Sequence, residues 1–226
     1  MADHAELAAP ILRKVLSLYA GERWVNRFHV ASRCRIIPFD KLEELMPRSG
    51  TIADLGCGHG AFSNLLALTS PQREVMGIDR DRKKIEIAAR TIGKKRNITF
   101  KVGDLSQFRL GTFSGIAILG VLYLLPYDRH RPLLEQCVQS LLPGGVLLLT
   151  TIDPSRRIRF WESKLLEFTA NLTLRLIGAQ STSVSPRLHP RRKEEWAEML
   201  RAIGFSVQML NIHLPVPENI LLCCKK

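Results

Sequence analysis

Cysteine is sparse and poorly placed for a framework: five in 226 residues, at positions 34, 57, 137, 223 and 224, with no Cys-x-x-Cys pair. The odd number, and an adjacent pair unsuited to an ordinary disulfide, exclude a disulfide-stapled scaffold and a cysteine zinc site, and point to a reducing compartment. Long apolar runs are missing too. The longest, 116–126, falls well short of the ~20 residues that cross a bilayer. Residues 1–9 carry Asp3 and Glu6 and no apolar leader stretch, so a cytoplasmic location is expected. Acidic residues are in deficit, 21 Asp and Glu against 33 Lys and Arg, a formal charge of +12. That imbalance favours an anionic partner: nucleic acid, an anionic membrane face, an acyl carrier or an acidic small molecule. Repeats and low-complexity tracts are absent. What remains, 46% apolar and 24% charged residues, is the mixture of one globular domain and excludes disorder.

The apolar pattern alternates between two periods. Leu7, Ile11, Val15 and Leu18 share a helical face near the N-terminus, and a basic, aromatic stretch with Trp24, Phe28 and His29 follows. Asp40 is placed to cap a short helix that Pro47 ends. Strands are then predicted at 51–55, 74–78, 97–102, 116–119 and 146–152. Helices between them include 61–69, one capped by Asp81 with Ile85, Ala89 and Ile92 inward, and 128–142 with Leu134, Cys137 and Leu141 inward. Pro143-Gly144-Gly145 reads as a turn into the fifth strand. Past Asp153, Trp161, Leu165, Phe168, Leu172 and Leu176 form one helical stripe. Trp196, Leu200 and Ile203 mark a helix closed by Gly204, and two strands, 205–212 and 219–223, end the chain. Short apolar strands alternating with helices predict an α/β fold with a parallel sheet whose strand C-termini share one edge. The expected layout is one structural domain: a helical lid at 1–49, then 50–226 with a helical insert at about 155–200.

The chemistry gathers at that edge. Asp54-Leu55-Gly56-Cys57-Gly58-His59-Gly60 sets three alternate glycines between a strand and a helix, so the backbone can approach a ligand closely. The spacing is GxGxG rather than the GxGxxG of dinucleotide enzymes. Asp79 ends the next strand, where a carboxylate can accept both hydroxyls of a ribose. Asp104 follows the third strand, where a carboxylate can receive an adenine amino group.

The order DLGCGHG, GID, GD, an apolar fourth strand and LLPGG resembles the class I S-adenosylmethionine-dependent methyltransferases over about residues 50–152. The resemblance implies a Rossmann-like, doubly wound, mostly parallel seven-stranded sheet with helices on both faces, and S-adenosyl-L-methionine as cofactor. It implies that Gly56, Cys57, Gly58 and Gly60 pack against the cofactor's methionine part, and that Asp54 supports its amino group. Asp79 with Arg80 would hold the ribose, Asp104 with Leu105 the adenine, and Leu119 would line the site. One departure stands out: many relatives have Asp before Val-Leu-Tyr after the fourth strand, and this chain has Gly120. A cationic acceptor would lack that acid, which weighs against amine methylation. Of the general-base candidates His29, Tyr123, His59, His130 and His189, His29 comes first and Tyr123 second. His130, between Arg129 and Arg131, is expected at the surface. The function expected is methyl transfer to oxygen or carbon of a small, partly apolar acceptor, lipid-like or carrier-bound. The alternatives are an RNA methyltransferase using the basic surface and a non-catalytic cofactor-binding subunit. No metal ligand set is expected, and membrane contact would be peripheral.

Overall fold

The structure, a computed structural model, describes residues 3–92, 97–105, 111–152, 188–210 and 219–225. The predicted stripe from Trp161 to Leu176, and the basic residues at 94–96 and 156–159, lie outside the described residues.

Five parallel strands form the heart of the sheet: β1 (Gly50–Leu55), β2 (Arg73–Asp79), β3 (Ile98–Val102), β4 (Phe113–Leu119) and β5 (Leu141–Ile152). β6 (Ser206–Leu210) and β7 (Asn219–Lys225) complete the order β3-β2-β1-β4-β5-β7-β6, with β7 antiparallel to both of its neighbours. β1 shows why such strands read as apolar runs. Ile52 packs into one core cluster, while Ala53 and Leu55 pack into the other on the opposite face. Helices α1 (Asp3–Ser17), α3 (Phe39–Glu44), α4 (Ala61–Thr69) and α5 (Arg82–Arg90) border the first cluster. Helices α6 (Tyr127–Ser140) and α7 (Lys193–Ala202) cover the second. Helix α2 (Trp24–Ile36) packs on α1 and reaches over the C-terminal edge of the sheet.

The opposite edge is fastened by charge. Arg73 is fully buried at the start of β2 and ion-pairs with the Glu43 carboxylate of α3, which also accepts from Arg48 and Thr69. Arg73 donates further to the Pro47 and Met46 carbonyls, so the buried guanidinium is well satisfied. These bonds fix residues 43–48 against the sheet and set where β1 begins.

Three expectations need correction. Asp40 lies in the first turn of α3 and does not cap it, because Pro38 occupies the N-cap position. In α5, capped as expected by Asp81 through the Lys83 and Lys84 N–H groups, Ala88 rather than Ala89 joins Ile85 in the core. Residues three apart share the inward stripe there, and Ala89 falls outside it. Pro143-Gly144-Gly145 does not separate α6 from the fifth strand. β5 already pairs at Leu141, and the segment forms an irregularity between the pairs Phe113↔Leu141 and Gly115↔Val146.

Candidate active site

β1 lies between β2 and β4, so the chain reverses its direction of winding beside it. This is the switch point where parallel α/β sheets open a crevice. The glycine loop leaves β1 there. Gly56, Gly58 and Gly60 have φ of +77°, +56° and +79°. A Cβ on Gly60 would stand 2.6 Å from the Phe100 ring, and one on Gly56 would overlap Val121. A Cβ on Gly58 would meet nothing within 4 Å. Two of the glycines therefore serve packing. The third borders open space, the property a ligand cradle needs.

Side chains lock the loop. Asp79 at the end of β2 accepts from the Gly58 N–H at 2.8 Å with one carboxylate oxygen and from the Asp81 N–H at 2.9 Å with the other. Each oxygen keeps a lone pair, and the residue is half-buried, so the carboxylate can bind a vicinal diol. Tyr19, just past α1, donates to the His59 carbonyl at 2.7 Å, and Asn64 donates to the Gly60 carbonyl at 2.9 Å. Asp54 is buried under the loop and accepts from Ser63 at 2.5 Å. Burial, outweighing that bond, raises its pKa to about 6. Asp104 is exposed past β3, Leu105 and Leu119 are buried, Cys57 is half-buried and Arg80 is exposed. All ten residues expected to bind the cofactor thus sit along one edge of the sheet.

The candidate bases do not share one environment. The ring centroids of His29, on α2, and His59, in the glycine loop, lie 5.0 Å apart. Desolvation by the groups packed around it, then the facing His59, Arg33 and Lys84, holds the His29 imidazole below its ordinary pKa, although part of the side chain still meets solvent. Burial and Lys84 bring His59 to about 4. Both rings are neutral at neutral pH. Tyr123, in the 3₁₀ turn Leu122–Leu124, directs its hydroxyl toward Gly120, 3.4 Å from where a Cβ would stand.

His130 is not at the surface. It is fully buried, with Nε2 2.9 Å from the Leu125 carbonyl, and its Nδ1 accepts from Arg191 at 3.1 Å. That bond makes Nε2–H the donor to Leu125, so His130 is a structural group. Arg191 also lies over the Tyr127 ring at 4.8 Å. The His189 N–H donates to the Tyr123 carbonyl at 2.7 Å, and Tyr127 donates to the Pro190 carbonyl at 3.0 Å. Residues 188–192 are thereby tied beside Tyr123.

Sequence reasoning missed Arg33. It lies in the last turn of α2, and its guanidinium donates to the Leu119 carbonyl at 3.0 Å. Both terminal nitrogens stand 3.2 Å from where a Gly120 Cβ would be. A cation thus stands beside Gly120, the position at which this chain departs from the motif it resembles. The only signal in the sequence was the basic run from Arg23 to Arg35, and a run cannot say which of its members turns inward.

Comparison with known proteins agrees with this frame. A family profile described as a methyltransferase domain matches residues 52–145. The trans-aconitate 2-methyltransferase of Deinococcus radiodurans is 31% identical over 205 residues, covering 87% of this chain and 76% of that protein. The malonyl-[acyl-carrier protein] O-methyltransferase of Halalkalibacterium halodurans is 25% identical over 146 residues, covering 62% of this chain and 53% of that protein. This chain therefore spans about half the length of the second relative. The solved magnesium protoporphyrin IX methyltransferase of Synechocystis PCC 6803, with S-adenosylhomocysteine bound, superposes with a TM-score of 0.61. It is 18% identical, with 84% of this chain and 82% of that one covered. The loop left open at Gly58 and the free lone pairs of Asp79 suit the cofactor these proteins share. The protein belongs to the class I S-adenosylmethionine-dependent methyltransferases.

Proposed function

We propose that the protein transfers the methyl group of S-adenosylmethionine to an oxygen or carbon of a small, partly apolar acceptor bound under α2. The observation that carries this reading is the surroundings of Gly120, where the nearest groups are the Arg33 guanidinium and the Tyr123 hydroxyl and none of them is an acid that would balance a cationic amine. The two relatives, named for trans-aconitate and for a malonyl group on an acyl carrier, support a small or carrier-bound acceptor.

The cofactor supplies an electrophilic methyl on a sulfonium. The protein's part is to orient the acceptor lone pair in line with it, ~3–3.5 Å away, and to keep water out. In this proposal Gly56, Cys57, Gly58, Gly60 and Leu119 cradle the methionine part and Asp54 steadies its ammonium. Asp79, with Arg80, holds the ribose, and Asp104 and Leu105 bracket the adenine. The helices within 1–49 form the lid. His29 takes a proton from a hydroxyl acceptor, and Tyr123 is the second candidate for that task. His29's lowered basicity suits an acceptor that needs little deprotonation.

α2 also leaves Trp24 and Phe28 exposed, four residues apart, among arginines. This apolar, basic rim suits an acyl carrier or a peripheral anionic surface at the mouth of the site. Incubating the protein and methyl-labelled cofactor with a cell extract, then separating organic-soluble, small aqueous and nucleic-acid fractions, tests the reading. Label in either small-molecule fraction is the expected result. Label confined to nuclease-sensitive material would overturn it.

A further inference from the structure

We infer that Arg33 is a carboxylate-binding residue of the cleft, placed to take an anionic group beside Gly120. The inference deepens the proposed function and rests on it. Four observations carry it.

The guanidinium is in the site rather than in solvent: it donates to the Leu119 carbonyl at 3.0 Å, at the very end of β4. It makes use of a missing side chain, since both Nη atoms lie 3.2 Å from the Cβ position of Gly120. Even alanine at this position would crowd them. Gly120 has φ +69°, a conformation that disfavours any other residue, so the close approach of the guanidinium is built into the backbone. Finally, the guanidinium ion-pairs with no carboxylate among the described residues. Arg131, Arg90 and Arg73 all have such a partner, and Arg33 is less exposed than Arg131 or Arg90. Among the facing groups His29 and His59 are uncharged at neutral pH, and Asp54, which feels the guanidinium's charge, accepts its hydrogen bond from Ser63 rather than from Arg33.

A forked cation with one backbone acceptor and no ion-pair partner among the described residues matches a carboxylate in geometry and charge. Two carboxylates can reach this place. One belongs to the amino-acid part of the cofactor, the other to an acidic acceptor. Both present the same pair of oxygens.

The test compares wild type with Arg33→Gln and Arg33→Lys by calorimetry, using S-adenosylhomocysteine and 5′-methylthioadenosine. The second ligand keeps the nucleoside and lacks the amino-acid carboxylate. If the cofactor's carboxylate is the occupant, Arg33→Gln weakens S-adenosylhomocysteine about ten-fold or more and leaves methylthioadenosine unchanged, as for a lost charge-assisted bond. Arg33→Lys, which keeps the charge but not the fork, falls between.

If an acceptor carboxylate is the occupant, both affinities stay at wild-type values. Arg33→Gln then loses about ten-fold or more of the methyl transfer to small molecules of a cell extract retained on an anion exchanger. Equal weakening of both nucleosides would show a merely structural role and overturn the inference. So would unchanged affinities together with unchanged transfer. Saturable binding of S-adenosylhomocysteine by the wild type separately tests the reading on which the inference depends.

Discussion

Gly58 and Gly60 sit two residues apart in one loop and answer to different constraints. Both have positive φ, but only Gly60 is pressed by a neighbour, the Phe100 ring. Gly60→Ala should cost about 2–4 kcal/mol, from backbone strain plus overpacking, read as a shift in the denaturant midpoint. Gly58→Ala should cost about 1–2 kcal/mol, from backbone strain alone. Its methyl group enters the cradle, so it should still weaken S-adenosylhomocysteine about ten-fold or more, a factor worth about 1.4 kcal/mol. Equal stability losses with unchanged affinity would contradict the division of labour between the two glycines. The motif could be read from sequence because it is local and contiguous. Which glycine packs and which cradles could not, because Phe100 and Val121 come from other strands and loops. The same holds for Arg33: its neighbours at 119 and 120 lie 86 residues or more away along the chain.

Helix α2 meets the glycine loop through two neutral imidazoles. His59 has a pKa of about 4 in the fold against 6.5 for the free side chain. Between those values the unfolded chain binds the proton more tightly than the folded one, so stability falls as pH drops from 6.5 toward 4. Lys84 adds to this, while Asp79, Asp81 and Glu22 oppose it. The paired variant His29→Gln/His59→Gln should lose less melting temperature than wild type over the same pH range. Parallel curves for the two proteins would show that the pair carries no such linkage.

At this scale the sequence was a good guide. The strands that open the crevice, the Asp81 cap and the helix around Trp196 are all where periodicity and capping chemistry put them. It failed at long-range side-chain contacts. Charged neighbours made His130 look solvated, yet the aromatic ring of Trp196 and the Arg191 guanidinium enclose it from a segment some 60 residues on. The inward face of α5 is shifted by one residue because its stripe runs from Ile85 at a spacing of three to Ala88 rather than of four to Ala89.

Over the whole molecule, one edge of the sheet carries the function while the opposite edge is clamped by Arg73 and Glu43. The formal charge of +12 favours an anionic small molecule or an anionic surface, and one of its members, Arg33, turns inward onto the end of β4. No helix among the described residues is long and apolar enough to cross a membrane. The fold class and the cofactor follow from motifs strung along the first two-thirds of the chain. The acceptor does not, because it is chosen by side chains that only the tertiary structure brings together.

A nucleoside cofactor at the C-terminal ends of β1 and β2 would set its ribose on Asp79. Calorimetric titration of S-adenosylhomocysteine into wild type and Asp79→Ala tests it most directly. One saturable site in the wild type, weakened about ten-fold or more in the variant at a temperature where both proteins are fully folded, is the predicted result. Equal affinity in the two proteins would contradict the account.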